Sequence, residues 1–253
     1  PGADSAGHLD PDCSAVLDTP LPMTTSPIHQ NRGFTLVELA IVLIIVALLS
    51  GGLMMTLGSQ LDQRAYRDTQ QQLQDLRDAL LGYAASHMAA DGKPYLPCPD
   101  TDGDGLENRT GNLCTGAEGF LPWSDLGIGN QDAWNNRFRY RVTPLFARND
   151  IGFTLSSTGT LRVCEQAACT SYLATQLPAT IISHGRNGWG GTSGTNIANP
   201  AAASADELEN ADADNDFVKH TITQPGPNEF DDLVTWISPN ILYNRLIAAG
   251  RLP

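Results

Sequence analysis

The sequence predicts an α+β protein in which a long N-terminal helix, transmembrane in its first half and amphipathic in its second, packs on a C-terminal antiparallel β-sheet domain. Three observations carry that reading. The apolar run from Phe34 to about Leu57 has the length of a membrane-crossing helix. The segment after it keeps helical periodicity to about Ala90 without a proline. Beyond Pro94, short strand-like runs separated by turn residues replace the helical pattern. Boundaries therefore fall after residues 33, 58 and 92, and 93–253 forms the globular part.

The helix is expected to continue out of the apolar run. Leu73, Leu76, Leu80, Tyr83 and His87 recur at three- and four-residue steps, with Ala84 and Met88 widening the stripe and polar Thr69 one step earlier. Such a stripe suits packing against a soluble domain. Residues 34–90 would make one rod of about 85 Å at about 1.5 Å per residue. Asp91-Gly92-Lys93-Pro94 ends it, since glycine and proline both stop helices. Gly51 and Gly52 interrupt the apolar run and allow either local softening or close helix packing.

Strands are expected at Phe138–Val142, Gly152–Leu155, Thr160–Cys164, Thr180–Ser183 and Leu233–Ile237, with Ser156–Gly159 as a hairpin connection. Residues 185–216 are mostly Gly, Asn, Ala, Ser and Asp and read as a long loop. Ser238-Pro239 opens a terminal helix over 240–249 that Gly250 ends.

The chain carries 28 acidic against 15 basic residues, a net charge of −13. That surface repels nucleic acid, and no nucleic-acid partner is expected. Arg137, Arg139 and Arg141 alternate, so a strand sets them on one face, a solvated face paired with nearby acids. Of five cysteines, four follow the apolar run. An even count there suits disulfides in an oxidising compartment. Three pairings are possible, and the local one is expected, Cys98 with Cys114 and Cys164 with Cys169.

One acid stands out. Gly33-Phe34-Thr35-Leu36-Val37-Glu38 opens the apolar run, and a carboxylate at that depth needs a partner. A small residue, then Phe-Thr-Leu-x-Glu and an apolar helix, resembles the cleavage and assembly signal of type IV prepilins and type II secretion pseudopilins. The resemblance implies that residues 1–33 are a leader, that a prepilin peptidase cuts between Gly33 and Phe34, and that the new Phe34 amine is N-methylated. It implies that Glu38 neutralises the Phe34 amine of a neighbouring pilin or pseudopilin subunit in a filament. It further implies a single-pass inner-membrane precursor whose C-terminal domain lies in the periplasm. Without residues 1–33, which hold four acids and Arg32, the chain keeps 24 acids and 14 bases, a net of −10. Residues 1–22 are acidic and unlike such leaders, whereas 23–33 fit one, so translation is expected to start at Met23. The other readings are a simple signal anchor with Glu38 near the headgroups, or a cleaved secretory signal peptide, for which the run is too long.

Two further stretches are similar to major pseudopilins. Asp132-Ala-Trp134-Asn135-Asn-Arg-Phe138-Arg-Tyr140 resembles their Asp-Pro-Trp-Gly-Asn-x-Tyr-x-Tyr turn. Ile181-Ile-Ser183-His-Gly185-Arg-Asn187-Gly188 resembles their Ser-x-Gly-x-Asp-Gly loop, with Asn187 in place of the acid.

Two acidic runs are candidate calcium sites. Asp100-Thr-Asp102-Gly-Asp104-Gly-Leu-Glu107 has oxygen ligands at alternate positions, although Gly111 stands where an EF-hand has its bidentate glutamate. Asp212-Ala-Asp214-Asn-Asp216 follows the glycine-rich segment, where the resemblance places a calcium loop. A solvated acidic turn is the competing reading for both. Ser183-His184, with Asp231 or Asp232, suggests a hydrolase, but adjacent strand residues point to opposite faces and no nucleophile elbow is present, so no enzyme is expected. His87 reads as a core or interface residue, and Trp123, Trp134, Trp189 and Trp236 as packing residues, Trp189 with a possible partner contact. The runner-up function is a membrane-anchored periplasmic binding protein that recognises its partner through 185–216 and does not polymerise.

Overall fold

The computed structural model describes residues 33–253, the side chains of 51–57 and 59 excepted. The expected leader, the start at Met23 and Cys13 therefore lie outside the described residues, as does the packing around Gly51 and Gly52. The chain divides into two units, Pro1–Gly52 and Leu53–Pro253. The first is helical from Leu36, and every residue from Phe34 to Leu49 is exposed. Among the described residues no helix is long and apolar enough to cross a membrane.

Helix α1 (Leu36–Ser86) stops four residues before the expected end near Ala90. The reason is local. Ser86 Oγ donates back to the Gly82 carbonyl at 2.9 Å, and the chain then reverses about Asp91-Gly92, where Ala89 N–H donates to Lys93 and Gly92 N–H to Ala89. Gly92 sits at φ 78°, which glycine adopts without strain. Asp91 Oδ1 then fixes the exit by accepting from the backbone of Lys93 and Gly152.

The second unit holds three small sheets. Strands β1 (Arg109–Thr110) and β2 (Leu113–Cys114) form a hairpin. Strands β3 (Glu118–Phe120), β4 (Arg139–Val142), β7 (Ala179–Ser183) and β9 (Leu233–Ile237) form an antiparallel sheet in the order β3-β4-β7-β9. Strands β5 (Leu161–Cys164), β6 (Tyr172–Leu177) and β8 (Asp216–Val218) form the third, and here β5 and β8 run parallel, a departure from the all-antiparallel expectation. Pro178 separates β6 from β7 and moves the chain from one sheet to the other. Short helices α2 (Trp123–Leu126), α3 (Ala205–Ala211) and α4 (Pro239–Ala248) complete the unit.

Alternation along β7 explains how two cores share one strand. Ile181 faces a core with Leu73, Leu76 and Leu80 of α1, Tyr140 of β4 and Leu242 and Leu246 of α4. Its neighbour Ile182 faces the other way, onto Leu161, Val163, Leu177 and Phe217. A strand buried on both faces is what the consecutive apolar pair Ile181-Ile182 of β7 permits. The α1 stripe extends back to Thr69, which is fully buried because its Oγ1 accepts from Ala133 N–H at 3.2 Å. At its other end His87 is exposed and stacked on Tyr83 at 3.8 Å, so it is not a core residue.

Two expectations need correction. Gly152–Leu155 is not a strand. Phe153 N–H donates to Pro94 and the ring packs on Phe146, but no ladder follows, because Thr154–Ser157 closes into a turn through Ser157 Oγ rather than a hairpin. Residues 185–216 are not one long loop either. They contain α3, whose N-cap Ser204 accepts from Glu207 N–H, and they are laced to the Gln131–Arg137 turn through Asn136, Asn199 and Gly194. At the C-terminal helix Ser238 precedes Pro239 but its side chain makes no capping bond, and Gly250 turns left-handed after Ala249.

Candidate functional site

The start of α1 is built by a reciprocal cap. Thr35 is the residue before the helix, and its Oγ1 accepts from Glu38 N–H at 3.2 Å. Glu38 Oε2 reaches back to accept from Thr35 N–H at 3.1 Å and from Thr35 Oγ1 at 3.0 Å. Such a Thr-x-x-Glu box satisfies two backbone donors that a helix start otherwise leaves open. The spacing was there to be read in the sequence. Gly33 lies ahead of the cap, exposed, with open space where a Cβ would sit, and Phe34 is exposed as well.

The two acidic runs share one construction. Asp100 Oδ1 accepts from Asp102 N–H and Gly103 N–H, Asp102 Oδ1 from Asp104 N–H, and Asp104 Oδ1 from Leu106 N–H. Asp212 Oδ1 accepts from Asp214 N–H, and Asp214 Oδ1 from Asp216 N–H. Alternating aspartates here are successive Asx turns, each side chain fixing the backbone two residues on. Their carboxylates nevertheless converge: ligand atoms of Asp100, Asp102 and Asp104 lie within 4.8 Å of one another, as do those of Glu209, Asp214 and Asp216. Glu107 is outside the first group, because its oxygens hold Arg109 and the Cys98 N–H. Asp212 is outside the second, and Asp216 is paired with Arg162. Burial, and then Asp214 and Asp212, push Glu209 up to about 7.

A third group has the stronger geometry. Glu207 of α3 and Asp231 and Asp232 ahead of β9 are all buried, with ligand atoms within 4.8 Å of each other. One oxygen of each is spoken for: Glu207 Oε1 accepts from Asn187 Nδ2, Asp231 Oδ2 from Asn187 N–H, and Asp232 Oδ2 from Asn210 Nδ2. The other oxygens, Glu207 Oε2, Asp231 Oδ1 and Asp232 Oδ1, are buried without a partner. Burial, reinforced by the neighbouring carboxylates, pushes Asp231 up to about 7, and burial also raises Glu207. Three buried oxygens of like charge with no donor are a set that a hard cation satisfies. Sequence reasoning did not assemble this group, because nothing in the local pattern shows that Glu207 is buried.

The remaining expected residues fall as follows. Cys98 is joined to Cys114 and Cys164 to Cys169. Ser183 Oγ donates to Asp132 Oδ2 at 2.7 Å, not to His184, whose Nδ1 lies 3.6 Å from Asp232. Arg139 and Arg141 both bind Glu118 across the β3–β4 pair. Trp123, Trp134, Trp189 and Trp236 are half-buried.

Residues 28–54 match the family model of the prokaryotic N-terminal methylation motif, which is the prepilin-type signal of type IV pilins and pseudopilins. No curated protein and no solved structure matches the chain.

Proposed function

We propose that this prepilin-type chain is the precursor of a structural subunit of a type IV pilus or type II secretion pseudopilus. It is cut between Gly33 and Phe34, N-methylated on the new Phe34 amine, and assembled through its N-terminal helix. The observation that carries the reading is the match over 28–54, which brackets the exposed Gly33–Phe34 bond and the Thr35–Glu38 cap. The apolar run from Phe34 to about Leu57 supports an inner-membrane stage before assembly. In the filament, apolar packing between helices drives association, and Glu38 of one subunit meets the Phe34 ammonium of the next.

The residues present also fit calcium. Glu207, Asp231 and Asp232 would hold the ion through their orphaned oxygens. The ion would supply positive charge among three carboxylates and so tie α3 to the approach of β9. Asn187 and Asn210 keep the other oxygens occupied and so aim the free ones inward.

The test is site-specific photocrosslinking next to Phe34 in cells that express the peptidase, combined with mass analysis of the N-terminus. A ladder of crosslinked copies beginning at methylated Phe34 is expected. A lone anchored receptor gives no ladder, and an uncut chain refutes the cleavage site.

A further inference from the structure

A cavity of about 550 Å³ opens between α1 and the loop after β8, a volume within the range of about 300–1,000 Å³ that small-molecule sites occupy. Its α1 wall is Asp62, Gln63, Tyr66 and Arg67, two pairs four residues apart that share a helix face. Ile222, Gln224 and Pro225 form the loop wall, and Trp134 and Arg186 complete the lining.

These walls are held by the fold itself. Thr223 N–H donates to the Phe230 carbonyl at 3.0 Å and Thr223 Oγ1 accepts from Phe230 N–H at 2.7 Å, which closes the loop. Arg186 reaches across to α1, where Nη1 donates to Asp62 at 3.2 Å, and its Nη2 lies 3.9 Å from Glu229. Trp134 N–H is fixed on Asp132 Oδ1 at 2.9 Å. Tyr66 and Trp134 are half-buried, packed against the main core, and their remaining surface borders the cavity. A preformed lining spares a ligand the ordering cost of making its own site.

The lining selects by chemistry. Arg67 and Arg186 stand against Asp62, Glu229 and Asp231, a near balance that favours neither an anion nor a cation. Two guanidiniums beside the rings also spoil an aromatic cage for a quaternary ammonium. Charged groups on both walls exclude a lipid chain. What remains is a neutral ligand with an apolar face and many hydroxyls. Gln63, Arg67 and Gln224 are exposed, so their donors reach such hydroxyls. Ile222 and Pro225 are exposed beside them and suit a methyl group.

We propose that this cavity binds a neutral saccharide carrying an acetamido group. The C–H face of the sugar lies on Trp134 and Tyr66, whose ring faces are electron-rich. Its hydroxyls bond Gln63, Arg67 and Gln224, and the acetamido methyl packs on Ile222 and Pro225.

Calorimetric titration of the full chain, in a detergent without a sugar headgroup, tests this. The probes are chitotriose, the N-acetylglucosamine trimer, and maltotriose, which lacks the acetamido group. Saturable heat is expected with chitotriose, and maltotriose is expected to bind about fourfold more weakly for the lost methyl burial. Arg67→Ala removes an exposed side chain and leaves the core intact, and is expected to weaken chitotriose binding about fivefold, the effect of one hydrogen bond. Trp134→Ala is expected to abolish it; should that variant not fold, Arg67→Ala decides. No saturable heat with chitotriose, equal affinity for the two trimers, or unchanged affinity in Arg67→Ala overturns the proposal. A sedimenting mass that rises with protein concentration and falls in Arg67→Ala, without a response to chitotriose, gives the cavity to a second copy and overturns it as well.

Discussion

Asp100 is the residue where two accounts of an acidic loop part company. Its side chain is fully buried and accepts three backbone N–H groups, from Asp102 at 3.2 Å, Gly103 at 2.6 Å and Gly105 at 2.8 Å. Hydrogen bonds to a charged group contribute roughly 1.5–3 kcal/mol each, and a buried donor left open costs about 1–3 kcal/mol. Only the Gly105 bond is fully buried, so water can replace part of the other two. Asp100→Ala should therefore lose about 3–5 kcal/mol. Asp100→Asn keeps one acceptor but turns an amide N–H₂ towards a backbone donor, and should lose about 2–4 kcal/mol. Urea unfolding followed by tryptophan fluorescence reads this directly. Trp123 lies against Gly105, so close that a Cβ there would stand 2.4 Å from its ring. If Asx turns are what the aspartates are for, the loss is the same in calcium and in chelator. A loss within about 0.5 kcal/mol of zero, or one seen only with calcium present, refutes the reasoning.

Glu38→Leu should leave cutting at Gly33 intact and abolish entry into filaments, measured as mature protein in the membrane against the sheared fraction; undiminished incorporation removes the charge-pair mechanism. Calcium should raise the unfolding free energy by about 2.7 kcal/mol at a hundredfold excess over its dissociation constant, read from urea unfolding, and Glu207→Gln should cancel the gain; an equal gain in the variant places the ion elsewhere. Cys114→Ser, opening a loop of 16 residues, should cost about 3 kcal/mol and Cys169→Ser, opening one of 5, about 2 kcal/mol, read as urea midpoints under oxidising conditions. Hydrogen bonds from Lys93 and from Gly152 N–H hold Asp91 down to about 2 from an ordinary 3.8. Its stabilisation is therefore complete above the ordinary value and lost as pH falls through about 2, and Asp91→Asn should flatten that acid limb of the stability profile.

What could be read in the sequence was linear or periodic. The signal at Gly33–Glu38 is a string of residue types, the α1 stripe repeats at 3.6, β4 alternates arginine with Tyr140 and Val142, and β7 and β9 are largely apolar runs. Helix α3 and strand β8 were hidden because their segment is poor in large apolar residues. Their place is fixed by tertiary hydrogen bonds, such as Asn210 to Val218 and Asp232. The alternating aspartates admit two readings for a physical reason: the spacing that puts oxygens around a cation also puts each oxygen over the N–H two residues later. Arg137, which is buried and pairs with no acid among the described residues, could not be told from Arg139 and Arg141 by pattern, since alternation gives the face and says nothing about where the acids lie.

Glu38 makes an observed cap and has a proposed charge pair, and the two are compatible because they belong to different covalent states. Before cutting, the nitrogen of Phe34 is a peptide amide without charge, and the carboxylate has nothing better to bind than Thr35 N–H and Oγ1. Cutting turns that nitrogen into an ammonium, and a charge-assisted bond is roughly twice as strong as a neutral one. In an apolar packing of helices the ammonium and the carboxylate each offset part of the other's desolvation cost, and either left alone would be a stranded charge. The exchange from own cap to neighbour's amine is then favourable only after the peptidase has acted. Thr35 keeps its half of the box, because Oγ1 still accepts from Glu38 N–H when the carboxylate swings away. The helix start would thus survive the proposed switch, leaving the acid that caps α1 free to set the register of the proposed polymer.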